Sequence, residues 1–277
     1  MNISNWLKYA VLKLKNISLS PHLDSELLLS YVLNKRRSWI LSYSFFELTV
    51  NQINELKSLI QRRMCSEPIS YLIGKKEFWS LSLLVSRYTL IPRPETEILV
   101  KNTLYHLKNF RNAKILDLGI GCGAISLALA NERMDCDIVG VDCVKESINI
   151  ARRNAEKFKL KNVYFLHSFW FDRIKCMFHI IVSNPPYIGY HEINKLDREV
   201  LFEPFIALIS FNNGLGAIYY IIKNSIKYLY SRGWLLIEHS WRQKSVVQKF
   251  FYEFNFINVI TYQDYSGHDR VTAGQKK

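Results

Sequence analysis

Asp117-Leu118-Gly119-Ile120-Gly121-Cys122-Gly123-Ala124 decides how this chain is read. It follows a short apolar strand, residues 114–118, and precedes a helix over 124–131. Glycines allow a tight turn and a close approach of backbone to a ligand, and the following helix offers free N–H groups at its start. Asp142 ends the next strand, 138–141, and stands 19 residues beyond Gly123. A carboxylate there is placed to accept both hydroxyls of a ribose. A nucleoside cofactor lying across the first two strands of an open sheet is the expectation.

Further along, a helix is expected at 145–158 and strands at 163–166 and 179–183. A helix near 215–230, a strand at 234–238, a helix near 241–254 and strands near 257–262 and 270–274 complete the pattern. Such alternation implies a parallel sheet covered on both faces by helices. Residues 1–70 read as helical instead. Trp6, Ala10 and Leu14 recur at helical spacing, as do Leu23, Leu27, Leu28 and Val32, and Ile53, Leu56, Leu59 and Ile60. Ser20-Pro21 makes a hydroxyl-capped helix start, and Thr49 with Gln52 makes a capping box. Arg62 and Arg63 are expected on a solvated face. Residues 77–85 read as strand or hairpin. In Ile91-Pro92-Arg93-Pro94-Glu95-Thr96-Glu97 the prolines hold an extended segment, and the carboxylates enter the first turn of a helix. The expected divisions are a helical domain over 1–73, a β-hairpin linker over 74–90 and an α/β domain over 91–277.

The 277 residues, 49% hydrophobic and 22% charged, have the composition of a soluble globular protein. No run approaches the ~18 apolar residues of a membrane span, and the start lacks the layout of a signal peptide. The five cysteines (Cys65, Cys122, Cys136, Cys143 and Cys176) never stand as CxxC, which disfavours a disulfide framework or a zinc site and fits a cytoplasmic setting. A net charge of +13 invites a nucleic-acid partner. The basic residues are nevertheless scattered, with Lys35-Arg36-Arg37, Arg62-Arg63 and Lys75-Lys76 the densest groups.

Gly119-x-Gly121-x-x-Ala124 also satisfies the dinucleotide fingerprint, so the glycines alone leave NAD open. Two features favour S-adenosylmethionine. Asp117 can pair with an ammonium group, which NAD lacks, and no second glycine fingerprint is present for a second nucleotide. Within Phe169-Trp170-Phe171, after the third strand, an aromatic ring could cover an adenine. The strand at 179–183 ends on Asn184-Pro185-Pro186-Tyr187. Two prolines hold the chain rigid, Asn184 offers one amide acceptor and a donor pair, and Tyr187 offers a flat face. Those residues also make an ordinary strand-ending turn. Beside a methyl donor they can grip a planar, amide-like group.

Taken together, the glycine loop, Asp142 and Asn-Pro-Pro-Tyr resemble a class I S-adenosylmethionine-dependent methyltransferase acting on a planar nitrogen. Further segments narrow the match: Glu67-Pro68-Ile69-Ser70-Tyr71-Leu72-Ile73-Gly74, Phe78-Trp79-Ser80-Leu81, the 91–97 segment, Phe202-Glu203-Pro204 with Ala207-Leu208, and Asp269-Arg270-Val271-Thr272. With these the chain resembles the release-factor glutamine methyltransferases over nearly its whole length. Asn-Pro-Pro-Tyr alone is shared with DNA and RNA amine methyltransferases.

The resemblance implies an α/β fold: a Rossmann-like, seven-stranded methyltransferase domain with a small N-terminal helical bundle joined by a β-hairpin. It implies methylation of the glutamine amide in the Gly-Gly-Gln loop of class I peptide-chain release factors, in support of translation termination. Asp117, Gly119, Ile120, Gly121, Cys122, Gly123, Asp142, Trp170 and Asn184 would then bind S-adenosylmethionine. Asn184, Pro185 and Tyr187 would be catalytic, with Pro186, Arg93 and Glu97 also at the substrate. No metal, no direct nucleic acid and a monomer are expected. Cys122 stands where the family often has Thr or Ser, and Phe169 where it often has Asp. The rival readings are a DNA or RNA exocyclic-amine methyltransferase, a binding module without catalysis, and an NAD-linked oxidoreductase that lacks an evident hydride-handling pair.

Overall fold

Apolar spacing builds five helices at the start of the chain: α1 (Ile3–Leu14), α2 (Pro21–Leu33), α3 (Arg37–Ser42), α4 (Val50–Met64) and α5 (Ile69–Ile73). The computed structural model describes all 277 residues. They form two units, one of Met1–Lys75 with Asp197–Phe202 and one of Lys76–Leu196 with Glu203–Lys277. In the first unit Trp6, Ala10 and Leu14 of α1 meet Leu28 and Leu29 of α2 and Leu56, Leu59 and Ile60 of α4. Thr49 caps α4 as a box: the Gln52 N–H donates to Thr49 Oγ1 at 3.3 Å, and the Thr49 N–H to Gln52 Oε1 at 2.9 Å.

Three expectations here are corrected. Ser20 makes no side-chain cap, because its backbone (φ −137°, ψ 60°) is outside the extended region a cap uses. Leu23 is exposed and Leu29 takes its place in the core; three consecutive leucines left the buried stripe of α2 ambiguous. Arg63 is only 2% exposed. Its Nε donates to Asp24 Oδ2 at 2.8 Å, and its guanidinium also pairs with Glu199. Spacing explains this, since 56, 59, 60 and 63 are one helical stripe. Arg62 lies off that stripe and pairs with Glu67 at 2.6 Å on the surface.

The second unit opens with a hairpin, β1 (Lys75–Phe78) and β2 (Leu81–Leu84). Its two turn residues, Trp79 and Ser80, both have positive φ (50° and 59°), the geometry that matches strand twist in a two-residue turn. Next come α6 (Glu97–His106), β3 (Lys114–Leu118), α7 (Ala124–Glu132), β4 (Asp137–Asp142), α8 (Lys145–Phe158), β5 (Val163–His167) and β6 (Phe178–Ser183). A two-stranded sheet of β7 (Ile188–Gly189) and β8 (Ile209–Ser210) brackets α9 (Phe205–Leu208). The chain closes with α10 (Gly216–Ser225), β9 (Leu229–Glu238), α11 (Lys244–Glu253), β10 (Ile257–Gln263) and β11 (Asp269–Gln275).

The main sheet has seven strands in the order β10-β11-β9-β6-β3-β4-β5. Strands β9, β6, β3, β4 and β5 are parallel, whereas β11 runs antiparallel to both its neighbours. The expected parallel sheet is thus present over five strands, with the C-terminal hairpin adding the antiparallel β11 at one side. Residues 264–268 are too few for a crossover, so β10 and β11 must form a hairpin. On one face Leu116, Leu118, Ile181, Leu235 and Ile237 pack against Ile218, Ile221 and Ile222 of α10 and Val247 and Phe251 of α11. Helices α6, α7 and α8 pack in sequence beside one another and against the sheet. From β3 the chain winds first to β4 and β5, then back to β6 and β9. The order reverses between β3 and β6, the place where open α/β sheets bind ligands.

Candidate active site

Strand register gathers the site. Leu118 stands opposite Val141 on one side and Ser183 on the other, and Ser183 stands opposite Ile237. The next residue along each strand is Gly119, Asp142, Asn184 or Glu238, so four chemically distinct groups share one edge of the sheet. Gly119, Gly121, Asp142, Trp170, Asn184 and Pro186 line a cavity of about 360 Å³ at this edge, a size suited to a small organic ligand.

The glycine loop is held from below. The Gly119 and Ile120 N–H groups donate to the Val141 carbonyl at 2.9 and 3.2 Å, and the Gly123 N–H to the Ile120 carbonyl at 2.8 Å. The Gly121 N–H donates to Asp142 Oδ2 at 2.9 Å, while Asp142 Oδ1 accepts the Val144 N–H at 2.8 Å. Asn154 of α8 adds a bond to the Cys122 carbonyl at 3.0 Å. Four of the loop's own N–H groups are thus engaged within the protein. What the loop offers a ligand is bare backbone. Gly119 and Gly121 have φ of 77° and 54°, and an added Cβ would meet nothing closer than the Trp170 ring at 3.5 Å and the Leu90 nitrogen at 3.9 Å. Gly123 serves packing instead: a Cβ there would sit 3.1 Å from Ala151 and Leu127.

Asp142 lines the cavity, and burial raises its pKa. Each of its oxygens holds one backbone donor and retains a second lone pair for a hydroxyl. Trp170 lies over Gly119 and shares the wall with Phe169. The Ile120 and Cys122 side chains are buried away from it, and burial pushes the Cys122 thiol up to about 12, so it is inert. Asp117 is fully buried and is not part of the wall. Ser126 of α7 donates to its Oδ2 at 2.6 Å, Oδ1 has no partner, and burial pushes the carboxyl up to about 7.

At the end of β6, Asn184 lines the cavity and its Nδ2 donates to Thr96 Oγ1 at 3.1 Å. Pro185 is buried. The Tyr187 ring packs against the apolar core beneath α10 and α11. Its hydroxyl points to Glu238 Oε1 at 3.4 Å, and burial raises its pKa. Arg93 and Glu97 are not on the cavity wall. Arg93 pairs with Glu203, whose carboxylate also accepts the Ile91 N–H at 2.9 Å, so Glu203 holds the segment at 91–93. Glu97 accepts the Trp79 N–H at 2.9 Å and steadies the left-handed hairpin turn.

Sequence reasoning missed several residues. Tyr88 and Leu90, after the hairpin, line the cavity, as do Ile206 and Phe211 near β8; no local pattern marked them. Glu238 did carry a signal, as a carboxylate ending the apolar run Leu235-Leu236-Ile237 at the ligand-binding end of a parallel strand.

Known proteins place this architecture. The family model described as the PrmC N-terminal domain matches residues 5–74, and a methyltransferase domain model matches residues 109–270. A release factor glutamine methyltransferase of Buchnera aphidicola subsp. Baizongia pistaciae is 64% identical over 277 residues, covering 100% of both chains. The protein of that name from Escherichia coli K12 is 42% identical over 276 residues, covering 99% of each. Among solved structures, a methyltransferase from Pyrococcus furiosus superposes with a TM-score of 0.53 at 15% identity, covering 82% of this chain and 99% of that one. That likeness reports the fold. With full-length identity of this degree, the chain belongs to the release factor glutamine methyltransferase family.

Proposed function

We propose that this chain uses S-adenosylmethionine to methylate the side-chain amide nitrogen of the glutamine in the Gly-Gly-Gln loop of class I peptide-chain release factors. The reaction supports translation termination and takes place in the cytoplasm. The observation that carries the reading is that Asn184 lines the same cavity as Gly119, Gly121 and Asp142. An acceptor for a planar amide and a nucleoside site therefore share one space.

The residues fit the donor. An NAD pyrophosphate wants several free N–H groups from the loop, and four of those amides are already bonded within the protein. The uncharged, bare backbone and the free lone pairs of Asp142 suit a nucleoside without phosphates. Asp117 Oδ1, a buried acceptor without a partner behind the loop, favours a cationic ligand nearby. S-adenosylmethionine supplies an electrophilic methyl group. Asp142 would accept the ribose hydroxyls, and Trp170 with Phe169 would cover the base.

The protein's task is placement. A glutamine amide nitrogen is a weak nucleophile because its lone pair is delocalised into the carbonyl. Asn184 Oδ1 and the Pro185 carbonyl accept its two N–H bonds and turn the π-face of the nitrogen toward the methyl group. The same acceptors stabilise positive charge developing on nitrogen, and one of its two N–H protons leaves after transfer. Holding reactants in line contributes on the order of 7–11 kcal/mol. Pro185 and Pro186 keep the acceptors rigid, and Tyr187 braces the turn through the core. The N-terminal helical unit is assigned to recognition of the release factor.

The test is transfer of a labelled methyl group to purified release factor, with the modified residue located by peptide sequencing. Label is expected on the Gly-Gly-Gln glutamine and absent when that residue is replaced. Asn184→Ala is expected to abolish turnover while S-adenosylmethionine binding stays measurable. Label appearing on DNA or RNA in place of release factor would overturn the reading.

A further inference from the structure

We propose that Thr96 and Glu238 are positioning residues for methyl transfer: they lock the Asn184 amide with its nitrogen turned into the protein and its oxygen turned to the acceptor substrate. The inference rests on the proposed role of Asn184 and adds what makes that role possible. An asparagine amide has nearly the same shape in its two flipped orientations, so packing alone selects neither. Hydrogen-bond polarity must select.

The structure supplies that polarity from three distant parts of the chain. Asn184 immediately follows β6, Thr96 immediately precedes α6 and Glu238 ends β9. Glu238 is 1% exposed and Thr96 4% exposed, so water cannot substitute for either group. Thr96 has one proton to give. Its hydroxyl lies against the Glu238 carboxylate and favours the ionised form, so the proton goes to Glu238. Only lone pairs of Thr96 then face Asn184, which must answer with N–H, as the 3.1 Å bond from Nδ2 records. Asn184 Oδ1 is left toward the cavity, where the substrate amide brings N–H donors. The flipped amide would set its oxygen against the Thr96 lone pairs and its N–H groups against those of the substrate, and lose both bonds.

Glu238 is otherwise difficult to explain. Strand alternation sends Leu235 and Ile237 to the apolar core of α10 and α11, and Glu238 to the opposite side. Beyond Thr96, Tyr187 approaches Oε1 at 3.4 Å, which is long for a hydrogen bond. A carboxylate in this position is costly unless it does something an apolar residue cannot. Burial pushes it up to about 7, against the opposing pull of Thr96, Arg270 and Tyr187, while Glu95 pushes the same way as burial. Arg270 is itself engaged with Asp264 at 2.9 Å. Protonated Glu238 would donate to Thr96 and release the Thr96 proton toward Asn184, which removes the lock.

Three variants test this with S-adenosylmethionine and purified release factor: Thr96→Val, Thr96→Ser and Glu238→Gln. Thr96→Val and Glu238→Gln are expected to lower kcat ~10–100-fold, the usual effect of losing a partner that orients a functional group. Affinity for S-adenosylmethionine by calorimetry should stay near that of the unaltered protein, and Thr96→Ser should retain most of kcat. The unaltered enzyme should lose kcat as pH falls through about 7, and Glu238→Gln should lack that limb. Wild-type kcat in Thr96→Val or Glu238→Gln would overturn the proposal. So would loss in Thr96→Ser equal to that in Thr96→Val, or a defect confined to cofactor affinity. If the unaltered protein fails to methylate release factor, the functional reading fails; normal turnover with an unaffected Thr96→Val sinks the lock alone.

Discussion

Asp142 Oδ2 accepts the Gly121 N–H at 2.9 Å, so the acid ending one strand holds the glycine loop that leaves its neighbour. The same carboxylate that is assigned to the ribose therefore also shapes the loop. Asp142→Asn replaces one acceptor oxygen by a donor facing an N–H group. It is expected to weaken S-adenosylmethionine binding ~10–100-fold and to destabilise the protein by about 1–3 kcal/mol. Calorimetry and urea unfolding measure the two effects; unchanged affinity would refute the ribose contact.

The loop glycines should separate by role. Gly123→Ala must accept φ near 87° and push against Ala151 and Leu127, each 3.1 Å from the new Cβ. A loss of about 1–3 kcal/mol in stability is expected. Gly119→Ala finds more room, with Trp170 at 3.5 Å, but places a methyl group on the ligand-facing surface. Its larger effect should appear in cofactor affinity, and the reverse pattern would show the roles to be exchanged.

Adjacent arginines of α4 should differ sharply. Arg63→Met leaves buried Asp24 without its partner, and breaking such a pair costs about 3–5 kcal/mol. Arg62→Ala removes a surface pair with Glu67 and should cost under about 1 kcal/mol. Urea unfolding followed by helical circular dichroism compares them directly.

Buried carboxyls give a pH signature. Asp117 and Glu238 are both pushed up to about 7 by burial, from ordinary values of 3.8 and 4.5. The folded state holds their protons more tightly than the unfolded chain. Their stabilising contribution is therefore complete below about pH 4 and is lost as pH rises to about 7. The loss is on the order of 3–4 kcal/mol per group at most. In urea melts without cofactor from pH 4 to 8, Glu238→Gln should decline less across this window than the unaltered protein; an identical slope would count against the raised carboxyl.

Local pattern carried much of the fold. The glycine loop, the strand–helix alternation and the Thr49–Gln52 box were legible because each depends on neighbours within a few residues. Arg63 shows the limit. Helical spacing placed it on the buried stripe, but its charge argued for solvent, and only Asp24 and Glu199 resolve the conflict. Arg93 and Glu97 were correctly marked as a distinctive segment, yet they bind Glu203 and the hairpin turn and stand off the cavity wall.

The sequence by itself determined a helical start, an α/β sheet, a glycine loop paired with an acid, and a rigid amide-bearing turn. These follow from periodicity and from the backbone freedom of single residues. Tertiary structure alone decided which groups meet. Asn184 reaches Thr96 across 88 residues and Tyr187 reaches Glu238 across 51. Such contacts depend on strand order and register, which no short stretch encodes. Register sets Asn184 and Glu238 on one sheet edge, and the helix start brings Thr96 between them.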